Sequence, residues 1–249
     1  MVDALEHLET ILDDLGPFDG VIGFSQGAAL AISYIYDQKT RHNVLPFKVA
    51  LLFSSVCAFS PDVEYSRAVI RQLRARGLDL SMPWNDEWVD EDERNSWNGP
   101  GSTTSSTSSD DVLMSNAQQA LYTTLSKVIK PLRDNQALLP DIDLTLYTTP
   151  DEKIDHGNIG TDDAVPRLLL PQLMKYNIAI PTVHMHGKRD AGFMREMSLI
   201  AREMFDEKLR RTLEHSGSHH PPQKEGEVKA AVRAMEWAIA QSRRIEVAQ

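Results

Sequence analysis

The chain has 249 residues, enough to bury one sizeable hydrophobic core, so a single domain over 1–249 is expected. Its formal net charge of -10 argues against a nucleic-acid partner, because phosphate binding needs clustered lysine and arginine. No apolar run is long enough for a membrane helix, and the acidic N-terminal segment does not resemble a secretory signal. The single cysteine, Cys57, lies in an apolar run typical of a buried structural thiol and suits a reducing compartment, so we expect a cytoplasmic protein.

The N-terminal part of the chain alternates between helical and strand patterns. A helix that ends at Gly16-Pro17 is predicted from leucines at helical spacing, which are Leu5, Leu8, Leu12 and Leu15. The apolar run 20–24 predicts a short strand, and a helix follows over 28–36. The run 47–55 contains an uninterrupted apolar stretch, as in a strand buried on both faces. This alternation is typical of a parallel sheet flanked by helices.

The pattern breaks over residues 60–118, and we interpret the segment 61–136 as an inserted cap. It contains eight consecutive serine or threonine residues at 102–109. Such a composition cannot bury apolar area, so the stretch of about 95–112 is predicted to be a disordered surface loop.

Helix and strand patterns return after the Ser/Thr-rich stretch. Helices are predicted over 121–129, over 164–176 with a kink at Pro171, over 197–205 and over 228–239; strands are predicted over 178–187 and 209–213. The fold class is therefore α/β, a mostly parallel sheet flanked by helices, with a helical and disordered insertion.

Residues 23–27, Gly-Phe-Ser-Gln-Gly, match the pattern G-x-S-x-G. The pattern is common by chance, but here it lies between a predicted strand and a predicted helix, which is the setting of a nucleophile elbow. We expect a side chain at either glycine to collide with the neighbouring strand or helix. The alternative is a tight turn that carries an incidental serine. We interpret Ser25 as a nucleophile.

A serine needs a base to remove its proton and an acid to orient that base. In α/β-hydrolases these follow the serine in the order acid, then histidine, each after a late strand. Asp190 follows the predicted strand 178–187, and either His219 or His220 lies in the loop after the last strand. The backbone N–H of Gln26 is the expected oxyanion donor.

Other interpretations of these residues stay open at this point. Asp190 could cap the helix that follows it. His184 and His186 alternate along a strand, where one of them could be a packed core residue. Together with His215 and the two candidate bases they could also form a metal cluster. Their spacing matches no HExxH helix face, so no metal or cofactor is expected.

Four segments in order resemble the fungal FSH1-like serine hydrolase family, which includes esterases and thioesterases associated with polyketide pathways. They are FDGVIGFSQGAALA, FKVALLFSS, IPTVHMHGKRD and HSGSHHPP. The family motif His-x-Gly-Gly-His-x-x-Pro aligns with 215–222 and places the catalytic histidine at His219, with Ser218 where a glycine is usual. The resemblance implies an α/β-hydrolase fold, the triad Ser25, Asp190 and His219, an acyl ester or thioester substrate, and a polyketide synthase carrier domain as a partner.

The resemblance also implies a difference from the family at the N-terminus. Family members have an apolar strand and a His-Gly-type loop before the helix that leads to the elbow, whereas one helix and one strand precede Ser25 here. We therefore expect a sheet without those strands, an exposed apolar edge at the Ser25 strand and no visible source for a second oxyanion donor. An incomplete gene model, a truncated chain and a decayed paralogue each fit.

Two further expectations concern function. The segment 61–136 is the natural cap over an acyl pocket, where Met82, Trp84 and Trp88 either line the pocket or pack structurally. The alternative to an active hydrolase is a catalytically impaired remnant that serves as a binding or interaction protein.

Overall fold

The chain divides into two compact units in the computed structural model, residues Met1–Tyr65 with Arg167–Gln249 and residues Ser66–Pro166. The structure describes residues 2–62, 64–65, 68–69, 72, 115–124, 127–128 and 167–248. The predicted Ser/Thr-rich loop and the three apolar residues of the cap lie outside this set. Within it, no helix has both the length and the apolar character needed to cross a bilayer.

Helices and strands alternate along the first unit. The helices are α1 (Val2–Leu15), α2 (Gln26–His42), α4 (Gly192–Glu203) and α5 (Glu225–Ala248), with a 3-10 turn at Glu207–Leu209. The strands are β1 (Gly20–Phe24), β2 (Val49–Phe53), β3 (Thr182–Gly187) and β4 (Arg210–His215). The second unit contributes helix α3 (Asn116–Thr124), which begins earlier than the helix predicted over 121–129.

The four strands form one parallel sheet in the order β1-β2-β3-β4. The register aligns Phe24 with Phe53, and Phe53 with Met185. Since all strands run the same way, the loops that leave their carboxyl ends lie along one edge of the sheet. The three candidate catalytic residues each follow a carboxyl end, so the topology brings them to that edge.

Helices cover both faces of the sheet. Alternate side chains of a strand point to opposite faces, and Leu52 belongs to a core cluster with residues of α1, α2 and α4, including Ile32 and Ala201. Leu51 belongs to a different cluster, which it forms with Val183 of β3 and with residues of α5. This burial on both faces explains why β2 is a continuous apolar run.

Strand β1 lies at one edge of the sheet, where its partner among the described residues is β2. Ile22 is 65% exposed and Phe24 is 40% exposed. This is the exposed apolar edge expected from the sequence.

The helix predicted over 164–176 is wrong where the structure describes it. Residues 167–170 are extended, with Leu168 bridged antiparallel to Phe59, and the backbone N–H of Leu169 donates to the carbonyl of Ala58. Leu168, Leu169 and Leu170 are all buried, because this segment packs as an extended run rather than as one face of a helix. Pro171 then begins a turn.

Candidate active site

Ser25 occupies the turn between β1 and α2 with φ 52° and ψ -116°. A non-glycine residue with positive φ is strained, and such strain is found where the surrounding structure imposes it. Here the N–H of Ser25 donates to the carbonyl of Phe53 at 2.9 Å, while the carbonyl of Ser25 accepts from Ala29 at 3.1 Å in the first turn of α2. The residue is therefore held between strand and helix with its hydroxyl at the carboxyl edge of the sheet.

The two glycines of the motif have different surroundings. A Cβ on Gly23 would lie 2.5 Å from the Cα and 2.7 Å from the backbone nitrogen of Ala28, so a side chain at this position cannot fit without moving α2. A Cβ on Gly27 would meet no atom within 4 Å. The steric expectation is correct for Gly23 and wrong for Gly27, which lies in the open first turn of the helix.

The structure brings Ser25, His219 and Asp190 into one hydrogen-bonded chain. The Nε2 of His219 lies 2.9 Å from the Oγ of Ser25, and its Nδ1 lies 2.9 Å from the Oδ2 of Asp190. An ionised carboxylate can only accept, so Nδ1 carries the proton and Nε2 accepts from the serine hydroxyl. This is the tautomer that a general base requires. His219 also packs on Phe24, with ring centroids 5.2 Å apart.

Asp190 faces the imidazole from a buried position, with 3% of its side chain exposed. Its Oδ1 accepts from the N–H of Ala191 at 2.9 Å, and its own N–H donates to the carbonyl of Gly187. The N-cap of α4 is Ala191 and not Asp190, so the capping interpretation does not hold. Both carboxylate oxygens are held, which keeps Oδ2 directed at His219.

The turn that carries Asp190 and the loop that carries His219 are tied together. The N–H of Lys188 donates to the carbonyl of His215 at 2.8 Å, and the N–H of Arg189 donates to the carbonyl of Gly217 at 2.9 Å. The Nε of Arg189 donates to the carbonyl of Ser216 at 2.8 Å. A Cβ on Gly187 would lie 2.6 Å from the Gly217 oxygen, so the end of β3 must be glycine for the loop to approach this closely.

The other histidines form separate contacts. His184 is buried against the ring of Phe205, and burial lowers its pKa to about 3. The Nε2 of His186 lies 3.3 Å from a carboxylate oxygen of Glu214. No group of three metal-ligating side chains occurs among the residues that the structure describes. The packed core histidine considered from the sequence is His184, while the ring of His219 is held by the serine and the aspartate.

Gln26 is the first residue of α2, and its N–H directly follows Ser25. The first N–H groups of a helix have no partner within it, so this group is available to an anion at the serine. Cys57 is buried, and burial raises the pKa of its thiol to about 12, which fits a structural role.

A parallel sheet with helices on both faces, and a serine on a strained strand-to-helix elbow, define an α/β-hydrolase, and the chain is a serine hydrolase by class. The model of the family described as Serine hydrolase (FSH1) matches residues 1–97 and 148–231, and the chain belongs to that family. The family resemblance noted in the sequence is thereby confirmed.

Two fungal proteins are similar over almost the whole chain. Esterase alnB of Emericella nidulans is 27% identical over 242 residues, which are 97% of this chain and 74% of that protein. Serine hydrolase cnsH of Penicillium expansum is 27% identical over 244 residues, 97% of this chain and 86% of that protein. A monoacylglycerol lipase from Paleococcus ferrophilus is similar in structure with a TM-score of 0.40 at 17% identity, covering 96% of this chain and 75% of that one.

Several residues that hold the site were not identified from the sequence. They are Arg189, His215 as a loop partner, and Glu227, whose Oε1 accepts from the N–H of Ser216 at 2.8 Å. Glu227 carries a usable signal, because an acid in the first turn of a helix that follows a catalytic loop is placed to accept backbone N–H groups. Arg189 carries no such signal, since its partner depends on how β3 and β4 align, whereas His215 is the first residue of the family motif aligned with 215–222.

Proposed function

We propose that this enzyme cleaves acyl esters or thioesters with Ser25 as nucleophile, His219 as general base and Asp190 as the residue that orients the base. The observation that carries this proposal is the unbroken chain from Ser25 Oγ through both ring nitrogens of His219 to Asp190 Oδ2, with 2.9 Å at each hydrogen bond. The strained elbow, the serine hydrolase family and the similarity to an esterase support it.

The geometry accounts for each proton transfer. Nε2 of His219 takes the hydroxyl proton as Oγ of Ser25 attacks the carbonyl carbon, and then gives it to the leaving oxygen or sulfur. The buried carboxylate of Asp190 stabilises the imidazolium that forms between these steps. A water molecule, deprotonated by the same nitrogen, attacks the acyl-enzyme carbonyl, and His219 then returns that proton to the Oγ of Ser25 as the bond to the acyl group breaks and the acid leaves.

The negative charge on the carbonyl oxygen falls next to the start of α2. We assign the N–H of Gln26 as one oxyanion donor, favoured by its position and by the positive end of the helix dipole. A second donor is usual, and its loss costs about 2.7–4 kcal/mol of transition-state stabilisation. None is identified among the described residues, and this observation favours the alternative function, an impaired hydrolase that binds rather than cleaves.

A fluorophosphonate probe decides between the two functions, because it forms a stable bond to serine only when the hydroxyl is activated. We expect the wild type to be labelled and Ser25→Ala not to be. Ser54→Ala is the matched control. Ser54 follows β2 as Ser25 follows β1, and it also has positive φ, at 43°. Failure of folded wild type to label would refute the catalytic proposal and support the binding protein.

We propose that the substrate is an acyl thioester. The specific substrate that we propose is a polyketide chain bound to a carrier domain. The support is the resemblance to thioesterases of polyketide pathways. The test compares kcat/KM for an N-acetylcysteamine thioester, the same acyl group on a carrier domain, and its ethyl ester. Preference for the ethyl ester would exclude the thioester proposal while leaving esterase activity intact.

We also propose a cytoplasmic location. The single cysteine, which is buried and free, is consistent with a reducing compartment.

A further inference from the structure

The backbone loop that carries His219 is held by two side chains outside the triad. The loop leaves β4 at His215 and reaches His219 four residues later. Its first two N–H groups donate to side chains, Ser216 to the Oε1 of Glu227 at 2.8 Å and Gly217 to the Nδ1 of His215 at 3.1 Å. Glu227 comes from the first turn of α5, so the loop is fixed from both the strand before it and the helix after it.

His215 accepts from Gly217 in a buried position, and its own Nε2 has no hydrogen-bond partner among the described residues. The residue is 1% exposed, and its ring lies 5.3 Å from the ring of His220 with Gly217 against both. Its Nδ1 can accept from Gly217 only while the imidazole is neutral with its proton on Nε2. Burial and the neighbouring His220 both lower the pKa of His215, which keeps it in that neutral form.

Glu227 is likewise in the protonation state that its hydrogen bond requires. An ionised carboxylate accepts without a competing proton, and the bond from Ser216 lowers the pKa of Glu227. The two acceptors take consecutive N–H groups, and the carbonyls of the same loop segment accept from Lys188 and Arg189 of the acid's turn. With both its N–H and C=O groups bound, this segment has little freedom to rotate the residue that follows it.

We propose that His215 and Glu227 are positioning residues, which hold the loop so that the Nε2 of His219 meets the Ser25 hydroxyl. The expected effect on kcat rests on the proposed function, because these two residues act on the same catalytic site. Neither side chain touches the reacting atoms. Each acts through the backbone on the orientation of the base, which governs the chemical step more than substrate binding.

The test uses one pair of variants at each position. His215→Asn keeps an acceptor where Nδ1 stands, and His215→Leu removes it; Glu227→Gln keeps an acceptor, and Glu227→Leu removes it. We expect the leucine variants to lose about 10- to 100-fold in kcat with KM changed less than about threefold, and the amide variants to retain most of kcat. Glu225→Leu is the control, because that exposed carboxylate pairs with Lys229.

A second readout does not depend on activity. Amide hydrogen exchange at Ser216 should accelerate at least about tenfold in Glu227→Leu and stay at the wild-type rate in Glu225→Leu and Glu227→Gln. Glu227 is partly exposed, so its variants fold even if His215→Leu does not. Unchanged exchange, or kcat equal to wild type in both leucine variants, overturns the positioning role. An inactive wild type refutes the proposed function alone, and exchange then decides whether the loop is held as proposed.

Discussion

Replacing Gly23 by alanine tests the elbow by adding one methyl group. The new Cβ would lie 2.5 Å from the Cα and 2.7 Å from the nitrogen of Ala28. Both atoms are backbone, so no side-chain rotation relieves the overlap, and α2 must move away from β1. Ser25 lies between the two elements and moves with them.

The magnitude follows from the size of this overlap. Ordinary contacts of a methyl carbon begin near 3.4 Å, so Ala28 has to retreat by about 0.9 Å in a tightly packed core. Overpacking of this kind costs about 1–3 kcal/mol of folding free energy. A displacement of about 1 Å at a reacting group lowers the rate by about 10²-fold. We therefore expect Gly23→Ala to fold with reduced stability and to react with fluorophosphonate about 10²-fold more slowly.

Gly27→Ala is the matched comparison, since its Cβ meets no atom within 4 Å. Alanine is a better helix former than glycine by at most about 1 kcal/mol, so this variant should be as stable as wild type or more so. The assay combines urea unfolding with the labelling rate per folded molecule. The steric account of the elbow is refuted if Gly23→Ala labels at the wild-type rate, or if Gly27→Ala loses as much reactivity as Gly23→Ala.

Three further outcomes follow from the site and the core. Asp190→Asn should lower kcat by about 10⁴-fold, because an amide no longer enforces the base tautomer of His219; retention of most activity would exclude the orienting role. Burial lowers the pKa of His184 to about 3, so below pH 6.5 the unfolded chain binds a proton that the folded chain does not, and stability falls as pH falls. Between pH 8 and pH 5 this loss is about 2 kcal/mol, and urea unfolding should show it in the wild type but not in His184→Leu. Cys57→Ala should keep wild-type labelling, and iodoacetamide should modify native Cys57 slowly, because burial raises its thiol pKa to about 12. Rapid alkylation of folded protein would contradict that burial.

The sheet could be predicted from the sequence because strand patterns, the first two of them short apolar runs, alternate with helical patterns. β2 is buried on both faces, which produces a continuous apolar run that a periodicity argument detects, and β3 is buried although two histidines interrupt its apolar residues. The same periodicity argument wrongly predicted a helix at the segment Leu168–Leu170. Three adjacent buried leucines match a helix as well as an extended run, and the antiparallel contact with Phe59 that selects the extended form is remote in sequence.

The three candidate catalytic residues could be predicted from their residue types and their order in the chain. A serine between two glycines, an acid after a late strand and a histidine after the last strand follow from chemistry and topology. The choice of His219 over His220 needed the family motif. The support from Arg189 could not be predicted, because its bond to the Ser216 carbonyl depends on the register between β3 and β4.

Ser25 and His219 are separated by 194 positions in the chain, and they meet because β1 and β4 lie in the same sheet. An intermediate that had formed only β1, α2 and β2 would contain a complete elbow yet an ordinary, unreactive alcohol. Chemical reactivity of the serine therefore reports the docking of the C-terminal strands onto β1 and β2. Refolding followed with a fluorophosphonate would time that step separately from the return of helical circular dichroism.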